Sequence, residues 1–140
     1  MKFEGMAVKE TATETTITTP EACYELFKDS AKLAQEVFCI VTLNSKNKVI
    51  KEHMITMGIL NSSLVHPREV FRQAITDNAA AIILAHNHPS GDPTPSSEDI
   101  KVTKQLVSAG EIIGIKVLDH VIIGDPRCLS LREEGLVRFS

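Results

Sequence analysis

The fold and a candidate site both depend on the stretch AAAIILAHNHPSGDPTPSSED, which occupies residues 79–99. Its first seven residues are apolar and predict a buried strand. Two histidines, His86 and His88, follow where that strand leaves the core. Proline, glycine and serine then predict a turn, and the spacing of Ser96 and Asp99 is typical of the start of a helix.

The spacing of the two histidines predicts a metal site. Residues i and i+2 of an extended strand point to the same face, so the imidazoles of His86 and His88 could reach one ion. Asp99, in the first turn of the next helix, would be carried back toward the end of the strand. Two nitrogens and one oxygen, with a fourth position open, form the arrangement of a catalytic zinc site. The alternative is an ordinary loop in which Ser96 and Asp99 serve only as a helix cap.

The composition is that of a globular protein of one domain. The chain has 140 residues, of which 43% are hydrophobic and 24% charged, and its net charge is −3. That charge argues against a broad nucleic-acid footprint, so direct binding of nucleic acid is not expected. No apolar stretch is long enough to span a membrane, and the first seven residues contain no signal-peptide core. We therefore expect a cytoplasmic protein.

Helical and extended patterns alternate along the chain and predict a mixed β-sheet flanked by helices, of the α/β (α+β) class. Residues 1–19 are expected to form an N-terminal arm or edge strand, and residues 20–140 the domain itself. The expected elements are a helix from Pro20 with Thr19 as its cap, a hairpin of strands 36–43 and 49–57, a helix over 68–78, the strand 81–85, a helix over 97–109 that ends at Gly110, and a last strand region over 115–123.

The histidine-rich stretch resembles a known metal-binding signature. The pattern His-x-His-Pro, six residues, Ser, two residues, Asp is matched by His86, His88, Pro89, Ser96 and Asp99. This pattern is similar to the signature of JAMM (MPN-type) metalloproteases. More narrowly, the chain resembles the RadC family, through VHPREV at 65–70, AAIILAHNHPSGD at 80–92 and LDHVIIG at 118–124.

This resemblance implies a cytidine-deaminase-like JAMM/MPN architecture with α/β/α layers. It implies that His86, His88 and Asp99 bind one zinc ion per chain and that Ser96 stabilises the oxyanion of the reaction. It also implies that metal-activated water hydrolyses an amide or isopeptide bond of a peptide or protein substrate. Longer RadC proteins carry an N-terminal helix-hairpin-helix segment for which this chain has no room, and this weakens any DNA-related role inferred from that segment.

The residues alone leave the general base open between two glutamates. Glu36 opens one predicted strand and Glu52 lies in the next, and each would touch an apolar surface that raises the pKa of its carboxyl toward a useful value. The resemblance favours Glu36, since the base of JAMM proteins is a glutamate at the start of the strand that follows the first helix. His120 is a further candidate, as a partner to one of the metal ligands.

Two other functions remain open beside the hydrolase. One is a DNA-repair-associated role, which the RadC name suggests, and the other is a non-catalytic metal-binding interaction module, since MPN folds also occur without catalysis. A zinc nucleobase deaminase is disfavoured, because the chain lacks His-x-Glu followed by Pro-Cys-x-x-Cys. The sequence reveals neither the substrate nor the oligomeric state.

Overall fold

A computed structural model describes residues 15–139 as one mixed sheet of five strands flanked by three helices. The mixed α and β architecture expected from the sequence is confirmed. In chain order the elements are α1 (Pro20–Phe27), a 3-10 helix (Lys28–Lys32), β1 (Val37–Leu43), β2 (Val49–Met57), α2 (Pro67–Thr76), β3 (Ala81–Asn87), α3 (Ser97–Ile113), β4 (Lys116–Ile123) and β5 (Cys128–Ser130). None of the helices in this part of the chain has the length and apolar character needed to cross a membrane.

The strands lie in the order β2-β1-β3-β4-β5. Strands β3 and β4 are parallel and the other neighbours are antiparallel. Helix α3 makes the crossover that a parallel pair requires. The sequence after β3 must therefore leave the sheet and enter a helix, so residues at the end of β3 lie close to the first turn of α3.

Two hydrophobic cores, one on each face of the sheet, produce the α/β/α layers. Alternate residues of β3 serve the two cores: Ile82 and Leu84 pack toward α2 and α3, whereas Ile83 and Ala85 pack toward α1. Continuing this alternation places His86 on the α2/α3 face and Asn87 on the α1 face.

Several predicted boundaries are found in the structure. Helix α1 begins at Pro20, and the hydroxyl of Thr19 accepts a hydrogen bond from the backbone N–H of Ala22 at 3.2 Å. Strands β1 and β2 form the predicted hairpin. Residues 1–14 of the expected N-terminal arm lie outside the described residues, while Thr16 forms an isolated antiparallel bridge with Lys48.

The predicted end of α3 at Gly110 is wrong. The helix continues to Ile113, and Gly114, with φ +88°, takes the left-handed conformation that closes it. Gly110 has a different role, because a Cβ there would overlap the carbonyl oxygen of Ile115 and crowd Phe71. The glycine therefore allows α3 to pack closely rather than ending it.

Candidate metal centre

The antiparallel pairing of β1 with β3 brings the start of one strand to the end of the other. Phe38 pairs with His86, so Glu36, immediately before β1, lies beside the histidines. The Oε1 atom of Glu36 is 3.2 Å from Nε2 of His86. One side-chain nitrogen or oxygen from each of Glu36, His86 and His88 lies within 4.8 Å of the other two. The structure thus joins the predicted base to both predicted histidine ligands.

The first turn of α3 adds Asp99, which is completely buried. Its Oδ1 lies 3.0 Å from Nδ1 of His86, and its Oδ2 lies 3.1 Å from Nε2 of His88. Burial on its own would raise the pKa of this carboxyl. Hydrogen bonds from the two imidazoles and from the backbone N–H of Ser96 outweigh burial and hold the pKa of Asp99 well below its ordinary range. Asp99 is therefore an ionised carboxylate with no access to solvent.

His88 is oriented by the loop that follows β3. Its Nδ1–H donates to the carbonyl oxygen of Asp92 at 3.0 Å, so Nε2 is the nitrogen that faces Asp99. The hydrogen bond with Asp99 raises the pKa of His88. The loop itself rests on the turn after β4, where a Cβ on Gly124 would overlap the carbonyl oxygens of Gly91 and Arg127. A backbone carbonyl that fixes the tautomer of a histidine is the usual support for a metal-binding imidazole.

Ser96 caps α3 in the way that the sequence suggested as an alternative. Its hydroxyl accepts a hydrogen bond from the backbone N–H of Asp99 at 3.1 Å, and its own N–H donates to Oδ2 of Asp99 at 2.7 Å. This reciprocal capping box fixes the carboxylate of Asp99 toward the histidines. The residue remains exposed to solvent, so its hydroxyl stands at the edge of the site.

The donor set suits a zinc ion. Two imidazoles and a carboxylate are the ligands of one class of catalytic zinc site. The Nε2 atom of His86 is buried and lies 3.2 Å from Oε1 of Glu36, but it makes no hydrogen bond within residues 15–139. A metal ion bound by this nitrogen would satisfy it.

His120 lies behind the site and reaches it indirectly. Its Nδ1 is 2.6 Å from the hydroxyl of Thr103, and that hydroxyl donates to the carbonyl oxygen of Asp99 at 2.6 Å. Burial lowers the pKa of His120 to about 3, so the ring is neutral. His120 therefore supports the turn of α3 that carries Asp99. Sequence reasoning missed Thr103, whose only signal is its position four residues after Asp99.

The structure does not bring Glu52 to the histidines. Glu52 is exposed on β2 and pairs with Val41, which in turn pairs with Ile83, three residues before His86. Three residues along a strand correspond to about 10 Å. Partial burial raises the pKa of the Glu52 carboxyl, as the sequence suggested, but this carboxyl lies far from the candidate ligands.

Comparison with known proteins identifies relatives of this chain. A family model described as the RadC-like JAB domain matches residues 17–136. A UPF0758 protein of Caldanaerobacter subterraneus is 57% identical over 124 residues, which cover 88% of this chain and 53% of the relative. A UPF0758 protein of Desulforamulus reducens is 52% identical over 133 residues, which cover 94% of this chain and 59% of the relative. The chain thus spans only somewhat more than half the length of these curated relatives.

Proposed function

Because the chain belongs to the family of RadC-like JAB domains, we propose that it is a zinc-dependent hydrolase of amide or isopeptide bonds that uses metal-activated water. The observation that carries this proposal is a cluster in which possible ligand atoms of Glu36, His86 and His88 lie within 4.8 Å of one another and both histidines contact the buried carboxylate of Asp99. One face of this cluster is formed by rigid elements, β3 and the first turn of α3, and the other by the glutamate that precedes β1.

Exposure separates the roles of the two carboxylates. The side chain of Asp99 is 0% exposed and is fixed by two imidazoles and a backbone N–H, which suits a metal ligand. The side chain of Glu36 is 22% exposed and has contact with both His86 and solvent, which suits a group that exchanges protons with a water molecule. We therefore assign His86, His88 and Asp99 as the ligands of one zinc ion per chain and Glu36 as the general base.

The side chains would divide the chemistry as follows. When bound, zinc supplies a Lewis acid that makes a nucleophile of water available near neutral pH. The carboxylate of Glu36 accepts the proton of the attacking water and returns it to the leaving amine. The hydroxyl of Ser96 donates to the oxygen of the attacked carbonyl group as negative charge develops there. Asp99 and the Asp92 carbonyl hold the two imidazoles in place.

We propose a peptide or protein as substrate. Both peptides and proteins contain the amide or isopeptide bonds that such a site would hydrolyse. The net charge of −3 supplies no general attraction for nucleic acid, so a DNA-binding role is not favoured. The three cysteines are unpaired, as is usual in the reducing cytoplasm where we place the protein.

A substrate panel with controlled metal content tests this function. Fluorescence-quenched peptides and lysine peptides linked through an isopeptide bond are incubated with the zinc-loaded chain and with the chain after chelation. Hydrolysis of at least one substrate is expected, with loss on chelation and recovery when zinc is added back. Hydrolysis that continues at the same rate after complete removal of zinc would contradict the proposal.

Replacing Ser96 with alanine is expected to separate its two roles. Loss of the cap should cost about 1 kcal/mol of folding free energy, and loss of an oxyanion donor should lower the turnover number by about 10²–10³-fold. Thr19→Ala is the matched control, because it removes the side-chain cap of α1 far from the site in sequence. Thermal melting and initial rates measure both effects. Equal turnover in the two variants would show that Ser96 is only a cap.

A further inference from the structure

The side chain of Asn87, between the two histidines in sequence, points to the opposite face of the sheet and is almost completely buried. Its Oδ1 accepts a hydrogen bond from the backbone N–H of Val37 at 2.5 Å. Its Nδ2 donates to the carbonyl oxygens of Ser30 at 2.9 Å and of Gln35 at 3.1 Å. All three partners are backbone groups of the segment that leads from the 3-10 helix into β1.

Two of these partners flank Glu36 directly. The peptide groups of Gln35 and Val37 lie on either side of the glutamate, and one amide side chain binds both. The backbone of Glu36 is therefore held from both sides by the same residue of β3. That residue is covalently next to His86 and His88, so this clamp, formed by Asn87 with the backbone of Ser30, Gln35 and Val37, links the segment of the proposed base to the strand of the proposed ligands.

These contacts of Asn87 also occur where the pairing of β1 with β3 ends. The pairing of β1 with β3 runs from Leu43 opposite Ala81 to Phe38 opposite His86 and goes no further. Val37 is beyond that point, and the side chain of Asn87 takes the place of the next backbone partner. The N–H of Val37, next to Glu36, is thereby paired rather than buried without a partner.

We infer that Asn87 is a positioning residue that holds the carboxylate of Glu36 at its working distance from the metal ligands. This inference rests on the proposed role of Glu36 as general base. The side chain of Asn87 lies on the face of the sheet opposite the histidines, so it would act only through the backbone that leads into β1. The N–H of Val37 needs one acceptor, and the carbonyl groups of Ser30 and Gln35 need two donors. An amide side chain offers this combination, whereas serine and aspartate do not.

The test compares Asn87→Ser with Thr42→Val in the zinc-loaded full chain. Thr42 is equally buried on β1, and its hydroxyl is bonded to Asp77 and to the carbonyl oxygen of Lys51, away from the site. Asn87→Ser should keep its zinc and its KM for the quenched peptide cleaved fastest by the wild type. Its kcat should fall by about 10²-fold, the typical effect of a misplaced catalytic group. Amide hydrogen exchange measured by NMR should accelerate at Val37. Thr42→Val should show neither change.

Combining Asn87→Ser with Glu36→Gln shows whether Asn87 acts through the glutamate. If it does, the double variant should be no slower than Glu36→Gln alone, because the misplaced group has already been removed. Asn87→Asp, which keeps the shape and the acceptor but loses both donors, repeats the test in a second variant.

Three outcomes would overturn the inference. One is a full additional loss of kcat in the double variant, and another is unchanged exchange at Val37 in Asn87→Ser. The third is wild-type kcat in Asn87→Ser while Glu36→Gln is inactive, which would reject the positioning role and leave the proposed base intact. Full activity of Glu36→Gln would instead reject the proposed base on which the inference rests.

Discussion

Glutamine in place of Glu36 is expected to lower hydrolysis by about 10²–10⁴-fold while zinc remains bound. The amide is nearly isosteric with the carboxylate, so the contact with His86 and the path of the backbone into β1 should survive. It cannot take a proton from water at neutral pH, whereas the three proposed ligands are untouched. Elemental analysis and initial rates on the same preparation measure the two quantities independently.

Glu52→Gln is the matched control, since it makes the same change on the neighbouring strand. The register of the sheet keeps Glu52 beside Val41 and away from the histidines, so its variant should hydrolyse at the wild-type rate. A loss of activity in Glu52→Gln but not in Glu36→Gln would reverse the assignment of the base. Full activity in both would contradict a mechanism that depends on a carboxylate base.

Asp99→Ala is expected to have the largest effect on both metal binding and stability. The variant loses one proposed ligand, the capping box of α3 and the hydrogen bonds to two imidazoles, of which that of His86 is buried. Zinc should fall close to zero, and the metal-free chain should lose roughly 2–4 kcal/mol of unfolding free energy, since charged buried hydrogen bonds and a helix cap are removed together. Elemental analysis and denaturant titration of the metal-free chain measure these effects.

Asp77→Ala provides the control, because Asp77 has similar partners elsewhere in the fold. Its Oδ2 is 2.6 Å from Nε2 of His53 and 2.7 Å from the hydroxyl of Thr42, and its side chain is only 9% exposed. This variant should lose stability but keep its zinc. If both variants kept zinc equally well, Asp99 would be a structural carboxylate rather than a ligand.

The parts of the site that sequence reasoning could predict are the local ones. His86 and His88 share a face because they are two residues apart where β3 ends, and Asp99 returns to them because a turn and a helix start follow. These relations depend on a stretch of fourteen residues, 86–99, whose chemistry is visible in its own composition. The cap formed by Ser96 was visible for the same reason.

The parts that required the structure depend on which segments meet. That Glu36 rather than Glu52 lies beside His86 follows from the pairing of Phe38 with His86, which no local pattern encodes. The three partners of Asn87 belong to a segment fifty or more residues earlier in the chain. A glycine at position 110 is typical of a helix end, but close packing between α3 and Ile115, the residue before β4, determines the role of Gly110.

The most direct test of the central claim is the zinc content of the purified chain and of His88→Ala. The claim is that His86, His88 and Asp99 hold one zinc ion, and His88→Ala removes one ligand whose side chain is 14% exposed. His53→Ala, which removes a histidine bonded to Asp77, is the control. We predict about one zinc per chain in the wild type and in His53→Ala, and a strong loss in His88→Ala. Zinc bound equally by the wild type and His88→Ala, or by neither, would contradict the account.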